Sequence, residues 1–279
     1  MDLLVLTDIH HNWTHLEKMI SLAGDFDGVI YLGDLLKHGS TREAVSEAIR
    51  NFSKIHEAAK FTVGISGNGA TREVRGHFED LGISVHGKSH ILNDIGFFGV
   101  GGTPDPVALI VALRTFFKTE IRSAIELSEK ALETLEVFGV SLRNGVFVVD
   151  DWSDMQVNLL NRFRGPFEHT EEEIHDILVQ GYQTISDCSV KILLSHAPPY
   201  EPIMNTKFPE GVSTGSRGIT KFIQEYAPSV VLSGHYHISH EFQIGLIPCF
   251  IFPAVTDGFY SILSINQRAE EYKVTVKTF

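Results

Sequence analysis

The sequence predicts an α/β fold built around mixed sheets, and three observations carry that expectation. Short runs rich in Val, Ile and Leu stop abruptly at polar clusters, as buried strands do. Stretches with helical apolar spacing separate those runs. The tail changes character and offers strand-like runs with no helix between them.

Taken in chain order, LLVL (3–6) ends at Thr7-Asp8-Ile9-His10, and GVIYL (28–32) ends at Gly33-Asp34. FTVGI (61–65) ends at Ser66-Gly67-Asn68, and KILL (191–194) ends at Ser195-His196. VVL (230–232) ends at Ser233-Gly234-His235-Tyr236-His237. A glycine or small residue at each end lets the backbone turn sharply. Segment 13–23 spaces Trp13, Leu16, Ile20 and Ala23 at helical intervals. Segment 41–59 does the same with Ala44, Val45, Ala48, Ile49 and Phe52, opened by Ser40 or Thr41 as cap. Thr170 with Glu173 forms a capping-box signature for a helix over 171–185, and 218–226 reads as another helix before VVL. Runs 247–252, 259–265 and 271–278 are expected to pair as antiparallel neighbours.

Residues 105–164 break this rhythm, because no polar cluster follows a strand there. Segment 118–138 is amphipathic, with Ile121, Ile125, Leu132 and Leu135 roughly on one face. The chain is therefore expected to be one domain, 1–279, carrying an inserted and mostly helical cap at 105–164. NGVFVVDD (144–151) reads equally as a strand or a hairpin within that cap.

Composition narrows the function classes. Of 279 residues, 43% are hydrophobic and 21% charged, which excludes a disordered chain. Lys and Arg number 23 against 35 Asp and Glu, a formal net charge of −12. That balance argues against a broad nucleic-acid grip and against docking on anionic membranes. Two isolated cysteines, Cys188 and Cys249, suit a reducing compartment. The apolar run at the N-terminus is too short for a signal-peptide core, and no stretch approaches the ~18 apolar residues of a membrane span. A cytoplasmic location is expected, and a homo-oligomer is compatible with the sequence.

The strand-end clusters hold metal-ligand residue types: Asp8, His10, Asp34, Asn68, His196, His235 and His237. Mixed nitrogen and oxygen donors suit borderline divalent ions, with manganese favoured and iron, zinc, cobalt or nickel as alternatives. Seven donors exceed one tetrahedral zinc site and suit two ions sharing a carboxylate.

The order Asp8-x-His10, Gly33-Asp34, Gly67-Asn68, His196 and Gly234-His235-x-His237 resembles the signature of the calcineurin-like metallophosphoesterases. The DxH-x-N form and the GGTP and SHAPPY segments look most like small bacterial and archaeal members. The resemblance implies a four-layer αββα sandwich of two mixed sheets with its metals at one edge. It implies that Asp8, His10 and His237 hold one ion, that Asn68, His196 and His235 hold the other, and that Asp34 bridges both. It also implies attack on phosphorus by a hydroxide shared between the ions, which clamp the attacking and leaving oxygens of an in-line displacement.

One departure is informative. Family members usually carry His and then an acidic residue after the GN pair, and this chain has Gly69-Ala70. The departure leaves metal binding untouched and removes a general acid, which typically contributes ~10²–10⁴ in rate. His11, beside His10, and His38, in GDLLKHG, are candidate replacement donors or phosphate contacts. Arg72, just after the GNGA turn, is a candidate phosphate contact. The expected activity is a dinuclear phosphoesterase acting on a phosphodiester or nucleotide-like small molecule. A phosphomonoesterase or pyrophosphohydrolase at the same site, or a metal-binding scaffold with weakened catalysis, is the alternative.

Overall fold

A computed structural model of the chain describes residues 1–16, 26–37, 39–104, 140–143, 146–149, 168–200, 215–266 and 271–278. Labels below number the described elements in order. They are β1 (Asp2–Leu6), β2 (Gly28–Tyr31), α1 (Arg42–Ala58), β3 (Thr62–Gly64), α2 (Arg72–Asp80), β4 (Ser89–Leu92), β5 (Ile95–Val100) and β6 (Thr103–Pro104). There follow β7 (Val140–Arg143), β8 (Val146–Val149), β9 (Glu168–His169), α3 (Glu171–Gln183), β10 (Val190–Ser195), α4 (Arg217–Tyr226) and β11 (Val230–Ser233). The tail adds β12 (His240–Ile244), β13 (Ile247–Ile251), a 3-10 turn (Val255–Asp257), β14 (Phe259–Asn266) and β15 (Glu271–Thr278).

One sheet runs β15-β14-β1-β2-β3 and the other β12-β13-β11-β10-β5-β4. Both are mixed. β1, β2 and β3 are mutually parallel, as are β5, β10, β11 and β13, while the outer partners run antiparallel.

The two-residue period of each strand decides the layering. Leu3, Val5, Ile30, Leu32 and Val63 point inward and meet Phe97, Ile192, Leu194, Val230 and Leu232 of the second sheet. The alternate residues Leu4, Leu6, Val29 and Tyr31 point outward against Val45, Ala48, Phe52 and Ile55 of α1 and Val74 and Phe78 of α2. On the far side Phe98, Leu193, Val231 and Cys249 pack against Ile174 and Leu178 of α3 and Ile219, Phe222 and Ile223 of α4. The product is the four-layer αββα sandwich. The α1 layer is anchored by Phe52, fully buried against Phe78 and Tyr31, and its truncation to Ala would cost ~3–5 kcal/mol.

The helices begin where side-chain caps satisfy their free amides. Thr41 accepts from the Ala44 amide at 3.3 Å. Thr170 and Glu173 form a reciprocal capping box. Both agree with the sequence reading.

The tail departs from expectation. β14 and β15 pair antiparallel, but 247–251 joins the other sheet, parallel to β11 and antiparallel to β12. The cause is a two-residue hairpin, Gly245-Leu246, with Gly245 at φ +62°, which folds β13 back onto β12. Several described elements fall outside the sequence expectations, among them β4, β5, β12 and α2. β5 is wholly buried between β4 and β10, yet Gly96, Gly99 and the following Gly101-Gly102 give its sequence a loop-like look. Gly96 is needed there, because a Cβ would lie 2.7 Å from Ile185.

Most of the predicted cap at 105–164, including the helix expected at 118–138, lies outside the described residues. Within it, 146–149 of the 144–151 segment forms β8, which pairs antiparallel with β7, while 144–145 and 150–151 lie outside the described residues. The segment leaves at β6 and returns at β9, and those two strands pair in parallel. No helix among the described residues is long and apolar enough to cross a membrane.

Candidate metal centre

Parallel strands end on the same side, so the loops after β1, β2 and β3 share one edge of the first sheet, and those after β10 and β11 share one edge of the second. Main-chain hydrogen bonds stitch these loops together. The Asp8 amide donates to Gly33 O, His10 to Asp34 O and His11 to Leu35 O. The Gly234 amide donates to His196 O, and Val255 and Thr256 donate to the carbonyls of Thr7 and Asp8.

The turns are tight enough to force unusual backbone. Asp8, His10, Asp34, His235 and His237 all lie at positive φ, between +48° and +69°, as does His11 at +68°. Each such residue costs ~1–3 kcal/mol, and such strain concentrates at functional sites. The glycines beside them are there for space. A Cβ on Gly33 would lie 2.5 Å from His196 Nδ1, and one on Gly67 would lie 2.5 Å from the Asp34 amide nitrogen.

The structure brings the candidate ligands together. Asp8 is buried, and its Oδ2 is saturated by the Thr7 hydroxyl at 2.5 Å and the His235 amide at 2.9 Å. Its Oδ1 is buried with no hydrogen-bond partner. That oxygen faces His237 Nε2 at 3.2 Å and His10 Nε2 at 3.6 Å. The two imidazoles approach each other Nε2 to Nε2 at 3.3 Å. Asp34 shows the same division of labour. Its Oδ1 accepts from the Gly69 amide at 2.8 Å. Its Oδ2 lies 3.5 Å from His196 Nε2 and 4.0 Å from His10 Nε2. Asn68 Oδ1 stands 3.0 Å from the same His196 nitrogen, and the His235 ring lies 5.0 Å from the His196 ring.

Acceptors behind the imidazoles fix which nitrogen faces the centre. His10 Nδ1 is 3.1 Å from Leu36 O, His196 Nδ1 is 2.8 Å from Leu32 O, and His237 Nδ1 is 3.2 Å from Asp257 Oδ2. With Nδ1 donating to these acceptors, Nε2 is the nitrogen that faces inward, and it offers a lone pair once its proton gives way to a cation. Donor atoms of Asp8, His10 and His237 lie within 4.8 Å of one another, and so do those of Asp8, Asp34 and His196.

Electrostatics point the same way. Burial works to raise the Asp8 carboxyl, but the facing imidazoles of His10 and His237 and the charge on His196 hold it well below the usual carboxylate range. Burial works against a charged His196, yet the facing Asp34 and then Asp8 raise it to about 9. His235 is pushed down to about 4 by burial and by the neighbouring His196. Two buried carboxylates thus demand positive charge, and protons on imidazoles supply it in the absence of a cation. An orphaned carboxylate oxygen among inward-facing nitrogen lone pairs is a donor set that fits a divalent ion.

The remaining sequence candidates fare unevenly. His11 sits at the rim, half-buried, with Nε2 2.7 Å from Ser40 Oγ and accepting from the Lys37 amide at 3.3 Å. Arg72 is exposed at the first residue of α2. His38 lies outside the described residues. Sequence reasoning missed Thr7 and Asp257. Thr7 stands inside the first strand-end cluster, but no motif or spacing in the sequence marks Asp257.

The calcineurin-like phosphoesterase family model matches residues 1–239, and the chain belongs to that family. Among solved structures, it is similar to TT1561 of Thermus thermophilus, at 16% identity and a TM-score of 0.61, covering 98% of this chain and 97% of that one. It is also similar to the phosphopantetheinyl hydrolase PptH of Mycobacterium tuberculosis, at 10% identity and a TM-score of 0.51, covering 91% and 89%. At these identities the likeness concerns the fold. No curated protein matches the chain.

Proposed function

We propose that the protein is a dinuclear metal-dependent phosphoesterase that hydrolyses a phosphodiester or nucleotide-like small molecule. The observation that carries the reading is the split role of the two buried carboxylates. One oxygen of each is tied to the chain, while Asp8 Oδ1 and Asp34 Oδ2 face the inward nitrogens of His10, His196 and His237. Asp8, His10 and His237 would hold one divalent ion. Asn68, His196 and His235 would hold the second, with Asp34 between His10 and His196 serving both. When bound, such a pair supplies Lewis-acid stabilisation of phosphoryl oxygens and lowers the pKa of water near neutrality. Manganese is the favoured ion.

The chain's own residues set the rest. Thr7 and the His235 amide hold Asp8 in one rotamer, and the Gly69 amide does the same for Asp34. His11, by its place beside His10, is the candidate to donate to the leaving oxygen or contact phosphate. His38 and Arg72 are the other phosphate-contact candidates. Because Gly69-Ala70 supplies no donor, diesters with good leaving groups are the favoured substrates. Two buried free thiols, Cys188 and Cys249, favour a cytoplasmic setting. The chain is read as one domain with a cap at 105–164, acting on a small-molecule phosphoester rather than on nucleic acid.

The test is turnover of bis(p-nitrophenyl) phosphate and p-nitrophenyl phosphate with Mn²⁺. Diester cleavage that a chelator abolishes supports the reading. Monoester-only turnover transfers the assignment to a phosphomonoesterase. Stoichiometric metal with no turnover of either would favour the scaffold and overturn the enzyme.

A further inference from the structure

The three imidazoles with defined acceptors are not held alike. His10 and His196 lean on main-chain carbonyls, of Leu36 and Leu32. His237 leans on a carboxylate, Asp257 Oδ2, at 3.2 Å. Asp257 closes the 3-10 turn Val255–Asp257, whose first two amides bond to the carbonyls of Thr7 and Asp8. The carboxylate is thus anchored to the same backbone that carries Asp8, and it reaches His237 from the side away from the centre. Its side chain is 45% exposed, so it belongs to no packed core.

We propose that Asp257 is a positioning residue that makes the two metal positions unequal. A carboxylate accepting from Nδ1–H fixes the ring and increases the basicity of Nε2 more than an uncharged carbonyl does, and such partners typically account for 10–100-fold in metal affinity. The ion held by Asp8, His10 and His237 is therefore the tighter of the two. In the second group, His196 relies on the uncharged Leu32 O, and no carboxylate among the described residues is seen behind it. This inference rests on the dinuclear reading above.

The test titrates Mn²⁺ into the chelator-stripped full chain by calorimetry, with bound metal counted after dialysis, for the wild type, Asp257→Asn and Asp257→Glu. Thermal unfolding of each metal-free protein is recorded alongside. Two unequal sites are expected in the wild type. Asp257→Asn should weaken the tighter site by ~10–100-fold, leave the weaker one unchanged and hardly alter metal-free unfolding. Asp257→Glu should recover part of the loss. Unchanged affinity at both sites in Asp257→Asn, or equal weakening of both together with a lower metal-free melting temperature, would overturn the positioning role while leaving the dinuclear reading intact. A wild type that binds no Mn²⁺, or only one ion, would remove the dinuclear reading and this inference with it.

Discussion

The turn that carries Asp34 and the turn that carries Gly69 touch, yet they serve different demands. Asp34, at φ +58°, aims one carboxylate oxygen at His196 and His10. Gly69 uses its backbone amide to hold the other oxygen. In the signature that the sequence resembles, a proton-donating His stands at position 69, but here a Cβ would lie 2.6 Å from Leu36 O. That same carbonyl accepts from His10. The Gly69 turn is therefore packed for holding the Asp34 carboxylate, not for reaching a leaving group. Gathering cations and delivering protons are separable tasks, and this chain retains the residues for the first.

The contrast can be broken most severely from the Asp34 side. Asp34→Asn is expected to abolish Mn²⁺-dependent diester cleavage, beyond the ~10²–10³-fold lost with a single charge-stabilising group. Steady-state rates with bound-metal analysis check it, and a variant within tenfold of wild type would show that Asp34 is dispensable. The donor side is tested by His11→Ala. Turnover of a diester with a poor leaving group should fall ~10²-fold, while one with a good leaving group is nearly unaffected. Equal rates on both would remove His11 from proton delivery.

A smaller effect sharpens the packing argument. Gly69→His with Ala70→Asp restores the missing pair on paper, yet the new side chain meets Leu36 O. A loss of ~1–3 kcal/mol in stability is expected, with no gain on poor leaving groups. Denaturant unfolding and the same assays decide it. The smallest effect lies away from the centre. The His86 ring lies tilted against His169, centroids 5.3 Å apart, and its Nδ1 accepts from the Gly101 amide. Burial, then Arg75, His169 and Lys88, pushes it from 6.5 down to about 3. Its folded pKa lies below its unfolded one, so its contribution is full above pH 6.5 and is lost as pH falls toward 3. His86→Gln should flatten the pH dependence of the melting temperature in that window, leaving it unchanged at alkaline pH.

Much of this was legible in the sequence for a simple reason. Buried parallel strands must be continuously apolar, and the change to polar residues at each end marks a loop. Asp8, Asp34, Asn68, His196 and His235 are therefore visible as positions as well as residue types. The helices at 42–58 and 171–183 announced themselves by cap and period. What stayed hidden depends on tertiary partners. The glycines of β5 read as a loop until β10 lies against them. The Gly245 hairpin diverts 247–251 into the other sheet. Asp257 is one acid in a turn, and only the return of the chain beside β1 gives it His237 as a neighbour.

The most direct test of the central claim is anomalous diffraction from crystals soaked in Mn²⁺. Two peaks ~3.5–4 Å apart are expected, one against Asp8, His10 and His237 and one against Asn68, His196 and His235, with Asp34 between them. A single peak, no peak, or density remote from Asp34 would contradict it.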